Sequence, residues 1–250
     1  MPPRFGKLDS AKFVAGNISD YKTDALTFKG AQILELHMEI DDDPADALIP
    51  KTMHPAIPMY AIINVMHVPQ SEWGPFTIAE VRAAGRTGVR PRGFVLRSYI
   101  DNDEAAKALT GRWGFPVAKG DVSLRVSHDR VTGRVKVGGK TVLEVEEQDR
   151  ESIGGGDIQY IASMHLANSK VDNKLVVVQV DPEYVFTKAE RGKPRVVALD
   201  PTAFGANAES LNVMNPIMAC FTTADITLPK IRYICNPELP AMQGTTKVAA

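Results

Sequence analysis

Cysteine is almost absent: the chain has two, Cys220 and Cys235, in 250 residues. Two cysteines make neither a metal motif nor a disulfide framework. A single bridge between them is formally open, but two buried apolar thiols in a reducing compartment are the expectation. An excess of charge of either sign is also missing. Lys and Arg number 29 and Asp and Glu 30, so the formal net charge is -1. No basic surplus points to nucleic acid, and no charge block points to a membrane surface. Long apolar runs are lacking too. The longest, such as Met59–Met66, are far too short to span a bilayer. The first residues, Met-Pro-Pro-Arg-Phe-Gly-Lys, have no apolar core of the kind a signal peptide needs. The expectation is a cytoplasmic protein with neither nucleic acid nor membrane as partner. What remains is an ordinary balance, 44% hydrophobic and 24% charged, in a chain long enough for one large β-rich domain.

Short strands dominate the pattern. Leu34, Leu36, Met38 and Ile40 alternate with polar residues, a period of two that predicts a half-buried strand over Ile33–Ile40. Pro44–Leu48 reads as a short helical turn. Met59–Val68 is a nearly continuous apolar run, as expected of a strand buried on both faces. Phe76–Ala84 and Gly93–Ile100 read as strands separated by the turn-rich Gly85–Pro91. Asp101–Leu109 is the best helix in the chain, capped by Asp101 or Asn102, with acidic residues in its first turn and Gly111 as its stop. Further strands are predicted at Val122–Ser127, Val131–Val137, Thr141–Glu147, Ile158–His165, Leu175–Val180, Arg195–Leu199 and Ile226–Ile234, with Gly138-Gly139 as a hairpin turn. The organisation implied is an irregular arm over residues 1–24, one domain over 25–236 and a flexible tail over 237–250. Many short strands with one or two helices argue for an antiparallel barrel or sandwich.

Several segments carry a more specific signal. Tyr99-Ile100-Asp101-Asn102 leads into the helix, which is followed by Trp113-Gly114-Phe115-Pro116. Ala224-Asp225-Ile226-Thr227-Leu228-Pro229 lies near the C-terminus. Trp73-Gly74-Pro75-Phe76-Thr77 and Leu48-Ile49-Pro50 complete the set. In order and spacing, over about residues 31 to 235, these segments resemble the acetoacetate decarboxylase family. The resemblance implies a mainly β fold, a cone-shaped antiparallel β-barrel with one or two short helices. It also implies a buried, mostly apolar pocket for a small-molecule substrate, and a homo-oligomer. In that family two lysines follow the aromatic-Pro pair, and the first forms an imine with the β-keto acid, activated by its surroundings. Here Val117 and Ala118 occupy those places. The family's acidic residue falls on Ile78, a second acidic position near Ile63, and its arginine near Ala31. Each polar group of the family's site is thus matched by an apolar one. The resemblance places Ile63, Ile78, Phe115 and Val117 around the pocket.

Four other residues are candidates for chemistry. Lys119 and Glu80 lie two residues beyond Val117 and Ile78, and on a strand residues two apart share a face. An acid and an amine displaced together would keep their pairing, although Lys119-Gly120-Asp121 reads as a solvated turn. Arg97 and Tyr99 share a strand face and would hold a carboxylate or enolate without an imine. The ordinary reading of Arg97 is a surface ion pair. No pair of the five histidines has metal-ligand spacing, so neither a metal nor another cofactor is expected. The functional expectation is an enzyme that acts without a Schiff base on an oxygenated hydrophobic keto or polyketide-like substrate, by cyclisation, dehydration, isomerisation or non-imine decarboxylation. Two alternatives stand beside it: a Schiff-base lyase using Lys119, and a non-catalytic protein that binds a small ligand. With Val117 and Ala118 in the lysine places, the protein is expected to release no carbon dioxide from acetoacetate above background. Manometric or coupled assay of that release checks this, and turnover typical of the family would contradict it.

Overall fold

The structure is a computed structural model and describes residues 4–158 and 160–248. Its strands, in chain order, begin with β1 (Gly16–Ile18), β2 (Leu26–Ile40), β3 (His54–Pro55), β4 (Tyr60–Val68), β5 (Phe76–Thr87), β6 (Arg90–Ile100), β7 (Val117–Lys119) and β8 (Asp121–Val126). They continue with β9 (Arg130–Val137), β10 (Lys140–Ser152), β11 (Ser163–Ser169), β12 (Lys174–Val180), β13 (Glu183–Leu199), β14 (Val213–Leu228), β15 (Tyr233–Cys235) and β16 (Thr245–Lys247). Three short α-helices, α1 (Asp42–Ala45), α2 (Asp103–Trp113) and α3 (Ala241–Gly244), and four 3-10 turns complete the regular structure among the described residues. The fold is mainly β, as expected, but the sheet is mixed and does not close. The path runs β16-β15-β12-β11-β6-β5-β4-β2-β14-β13-β10-β9-β8, and β1–β11, β6–β11 and β6–β7 are parallel pairs.

The reason the expected barrel stays open lies in how the ends of the sheet fold over. β8 packs across β4, β5 and β6 without joining them. Val122, Val131, Val135, Leu143 and Val145 of β8–β10 face Ile63, Val65, Ala79 and Val81 of β4 and β5 in one buried cluster. Strands stacked through side chains sit about 10 Å apart, twice the distance over which a ladder forms. On the opposite face of β2, β4 and β5 a second cluster forms, with Phe28, Ile33, Phe76, Ile78, Leu109 and Trp113. Helix α2 closes this side. It starts on the Asn102 side chain, which accepts from the Glu104 and Ala105 N–H groups. It runs through Gly111 to Trp113 and stops at Gly114, whose φ of 77° is the left-handed cap geometry.

Several boundaries differ from those expected. β5 and β6 extend through the Gly85–Pro91 stretch and meet in a tight turn at Gly88-Val89. β14 begins at Val213, in spite of Pro216, because register shifts flank that residue and leave its missing N–H without consequence for the ladder. Each end of the chain contributes a short strand: Gly16–Ile18 pairs with β11 and Thr245–Lys247 with β15. Both cysteines are free and buried.

β9 and β4 approach closely at one point. A Cβ on Gly133 would lie 2.7 Å from Val65 Cγ2. Gly133→Ala is therefore expected to destabilise the fold by about 1–3 kcal/mol through overpacking. Gly111→Ala, where a Cβ meets nothing within 4 Å, is expected to stabilise by about 0.5–1 kcal/mol. Denaturant unfolding of the two variants checks the pair, and equal effects would contradict the close approach.

Candidate functional site

The strand registers build the site. In an antiparallel pair, residues directly opposite share a face. Glu35 of β2 lies opposite Asn64 of β4, Asn64 opposite Glu80 of β5, and Glu80 opposite Ser98 of β6. A polar rank therefore crosses four strands. Beside it on one side runs an apolar rank, Ile33, Met66, Ile78 and Ile100. On the other side Arg82 lies opposite Ile62 and Val95. These ranks floor a cavity of about 50 Å³, and Leu109, Phe115, Ser163, Tyr184, Ile226 and Leu228 line its other sides. Such a volume holds on the order of three or four water-sized groups, enough for the reacting end of a molecule.

Glu80 and Arg82 form a buried ion pair at the centre. Arg82 donates to Glu80 Oε2 from Nε at 2.8 Å and from Nη2 at 2.6 Å, and from Nη1 to the Ile161 carbonyl at 3.2 Å. Ser98 Oγ donates to Glu80 Oε1 at 3.1 Å. A guanidinium has five N–H groups, so Arg82 keeps two spare donors among the described residues. Burial alone lowers its pKa, but Glu80, with Glu35 behind it, more than offsets this and the net shift is upward. Tyr184 lines the same cavity, and its hydroxyl has no hydrogen-bond partner among the described residues. Burial raises its pKa, with Arg82 opposing and Glu35 and Glu80 adding to the rise. Tyr184 is thus a neutral phenol, free to donate, with no acceptor among the described residues.

A second buried set extends from the first. Asn64 Nδ2 donates to Glu35 Oε2 at 3.0 Å, and His37 Nε2 lies 2.9 Å from Glu35 Oε1. Tyr160 bonds Thr222 at 2.8 Å, and its ring meets Tyr184 edge-on at 5.0 Å. Beneath Phe115 lies His165, stacked on it at 4.4 Å and bonded through Nε2 to the Trp113 carbonyl at 2.8 Å.

The residues singled out from sequence divide in two groups. Glu80, Ile78 and Phe115 line the cavity. Val117 packs in the apolar cluster around it without lining it. Ile63 faces the other core, because the cavity face of β4 carries Asn64 and Met66. A step of one residue along a strand moves a side chain to the opposite face. Arg97 and Tyr99 do share a face, but it is also the far one: they lie opposite Val81 and Ala79. There the Arg97 guanidinium sits 5.5 Å from the Tyr99 ring, and the Tyr99 hydroxyl bonds the Ala203 carbonyl at 2.6 Å. Lys119 is exposed and pairs with Asp103 at 2.7 Å. No lysine lines the cavity among the described residues. The guanidinium and phenol that do face it, Arg82 and Tyr184, were not singled out from sequence. Arg82, two residues beyond Glu80, carried the only available signal.

Fold and site together define a β-rich protein with a small, largely apolar chamber that encloses one charged corner. The chain belongs to the acetoacetate decarboxylase (ADC) family, whose model matches residues 15–235. Acetoacetate decarboxylase from Legionella pneumophila shares the fold with a TM-score of 0.71 at 19% identity, over 84% of this chain and 86% of that one. The enduracididine biosynthesis enzyme MppR, in complex with pyruvate, is similar at a TM-score of 0.65 and 13% identity, over 82% and 88%. An acetoacetate decarboxylase-like enzyme from Sphingomonas wittichii RW1 is similar at 0.64 and 16%, over 85% and 94%. No curated protein matches the chain. Among the described residues no helix is long and apolar enough to cross a membrane, and no group of three or more His, Cys, Asp or Glu side chains is placed to hold a metal ion.

His165 yields a test of how dry this region is. Burial lowers its pKa to about 4, against the ordinary 6.5. Below about pH 6.5 the unfolded chain takes up a proton that the folded chain refuses until about pH 4. Stability is therefore lost as pH falls through that window, by about 3 kcal/mol from this group. Denaturant unfolding at pH 7 and pH 4.5 is expected to show a smaller pH dependence in His165→Phe than in the wild type, whatever the variant's stability at pH 7. An unchanged pH dependence would show that His165 is solvated.

Proposed function

We propose that this protein is a small-molecule enzyme of the acetoacetate decarboxylase family that acts on an oxygenated, largely apolar keto substrate without a Schiff base. The observation that carries the reading is the cavity corner itself. Among the described residues it has a carboxylate, a guanidinium with two N–H groups to spare and a phenol without a hydrogen-bond partner, and no amine lines it. A carbonyl oxygen placed between Arg82 and Tyr184 takes hydrogen bonds from both. The carbon next to it then lies near Glu80. The C–H bond breaks, its proton passes to a Glu80 oxygen, and its electron pair forms the C=C bond of an enolate. The enolate oxygen is held by Arg82 and Tyr184, donors that a low-dielectric site makes stronger than they are in water. Return of the proton to a different carbon isomerises the substrate. Departure of a β-hydroxyl, which takes the proton from Glu80 and leaves as water, dehydrates it. Attack of the enolate carbon on a second carbonyl carbon, whose π electrons go to its oxygen and take that proton, closes a ring. The pyruvate held by MppR, a 2-oxo acid in a similar fold, supports a small carbonyl compound as occupant.

The Lys119 alternative has no geometric support, since the amine is paired with Asp103 at the surface. Assembly into a homo-oligomer remains part of the proposal. The exposed apolar residues Val185 and Val197 on β13 and Met214 and Ile217 on β14 support it.

Exchange of the α-protons of pyruvate and 2-oxobutyrate in deuterated buffer, followed by proton NMR, tests the step. Wild-type protein is expected to catalyse exchange, and Glu80→Gln to lower the rate by about 10²–10⁴-fold. Tyr184→Phe is expected to lower it by at least about tenfold, and Lys119→Ala to leave it unchanged. Exchange that survives Glu80→Gln, or that Lys119→Ala removes, would overturn the proposal.

A further inference from the structure

A groove of about 850 Å³ adjoins the cavity. The two share Pro182, and the chain passes from one to the other at Glu183-Tyr184 and at Leu228-Pro229. Four cations line the groove, Arg90 and Arg92 from β6 with Lys230 and Arg232 from the segment after β14, against two anions, Asp181 and Glu183. Lys230 is shared at 3.6 Å with Asp24 and Arg92 at 3.3 Å with Asp181, which leaves Arg90 and Arg232 as the cations without an ion pair among the described residues. Arg92 is more than nine-tenths buried, which is unusual for a residue that normally keeps its charge in water. It spends one N–H on the Pro91 carbonyl at 2.9 Å and one on Asp181 at 3.3 Å, while its Nε has no partner. Asp181 is drawn the other way by Gln179, which donates to the same oxygen at 2.8 Å. Burial, with Arg90 adding to it, lowers the Arg92 pKa in spite of Asp181. The cluster is thus under-neutralised as it stands, and it opens onto a volume of the size small-molecule sites have.

We infer that this groove binds the phosphate group of an elongated substrate whose keto end occupies the cavity. A molecule that extends past Pro182, the residue common to both linings, reaches cavity and groove together. Phosphate is the anion that matches the lining. Arginine recognises it through paired N–H groups, and Arg90 and Arg232 are the guanidinium groups of the lining left to do so. The hydroxyls of Thr87, Tyr233 and Thr245 are within the same lining. This inference rests on the proposed function only for the keto end. The groove itself binds phosphate whether or not Glu80 moves a proton.

The test separates the two. Titration of the full-length protein with inorganic phosphate and with coenzyme A, by calorimetry at low and at physiological salt, reads the groove without any turnover. Both ligands are expected to bind, and affinity is expected to fall with salt. Arg232→Gln and Arg90→Gln are each expected to weaken binding by about tenfold. Glu80→Gln is expected to leave it unchanged. Phosphate binding that survives both arginine substitutions, or binding of acetate as tight as that of phosphate, would overturn the inference. In α-proton exchange with a phosphorylated keto compound, acetoacetyl-coenzyme A, Arg232→Gln is expected to raise KM about tenfold and leave kcat unchanged. A fall in kcat with KM unchanged would overturn it as well. Loss of exchange in Glu80→Gln with phosphate binding intact bears on the proposed step alone.

Discussion

The buried pair of Glu80 and Arg82 is the constraint around which the rest of the structure is arranged. An isolated charge in an apolar interior is very unfavourable, and a pair is tolerated only when geometry and further hydrogen bonds are good. Here the fork of Arg82 meets one carboxylate oxygen, Ser98 meets the other, and the Ile161 carbonyl takes a third guanidinium proton. Such a pair does little for stability in comparison with a well-packed apolar substitute. Its presence in the middle of a sheet rich in Ile, Val and Ala is explained better by the cavity that Glu80 and Arg82 line together with Tyr184.

Under the proposed function, the same pair makes the apolar replacements in the family's lysine and acid places compatible with catalysis. Val117 and Ala118 remove the amines, and Ile78 removes an acid. Glu80 restores a carboxylate two residues further along the same strand face, and Arg82 supplies a permanent cation two further again. In the proposed reaction, electrophilic assistance passes from an imine nitrogen to a guanidinium and a phenol. The chamber keeps its shape, since Phe115 still closes it from the end of α2 and Phe28 packs on Phe76 edge to face at 5.5 Å. What changes, in the proposed reaction, is the group that takes up negative charge.

Much of this was legible in the sequence, and the rest failed for identifiable reasons. The alternation of Leu34, Leu36, Met38 and Ile40 gave the strand and its apolar face. The opposite face, with Glu35 and His37, reads as solvated in any half-buried strand. It is buried here because a second core covers it, which no local pattern encodes. Arg97 and Tyr99 were placed together correctly, yet the face they share depends on a single extra residue. β6 carries a bulge at Leu96, between Val95 opposite Arg82 and Arg97 opposite Val81, and a bulge resets which side chains point inward. Ile63 failed by the same one-residue margin. The open edge of the sheet was likewise hidden. Whether β8 pairs with a distant strand or stacks on it depends on the packing of Val122 and its neighbours, not on the strand's own alternation.

The account stands most directly on where a carbonyl compound binds and to what. A crystal structure of the protein soaked with 2-oxobutyrate addresses this in one measurement. The account predicts non-covalent density in the cavity, with the keto oxygen within hydrogen-bond distance of both Arg82 and Tyr184 and the adjacent methylene against Glu80. Continuous density from a lysine Nζ to the keto carbon, at Lys119 or elsewhere, would contradict it.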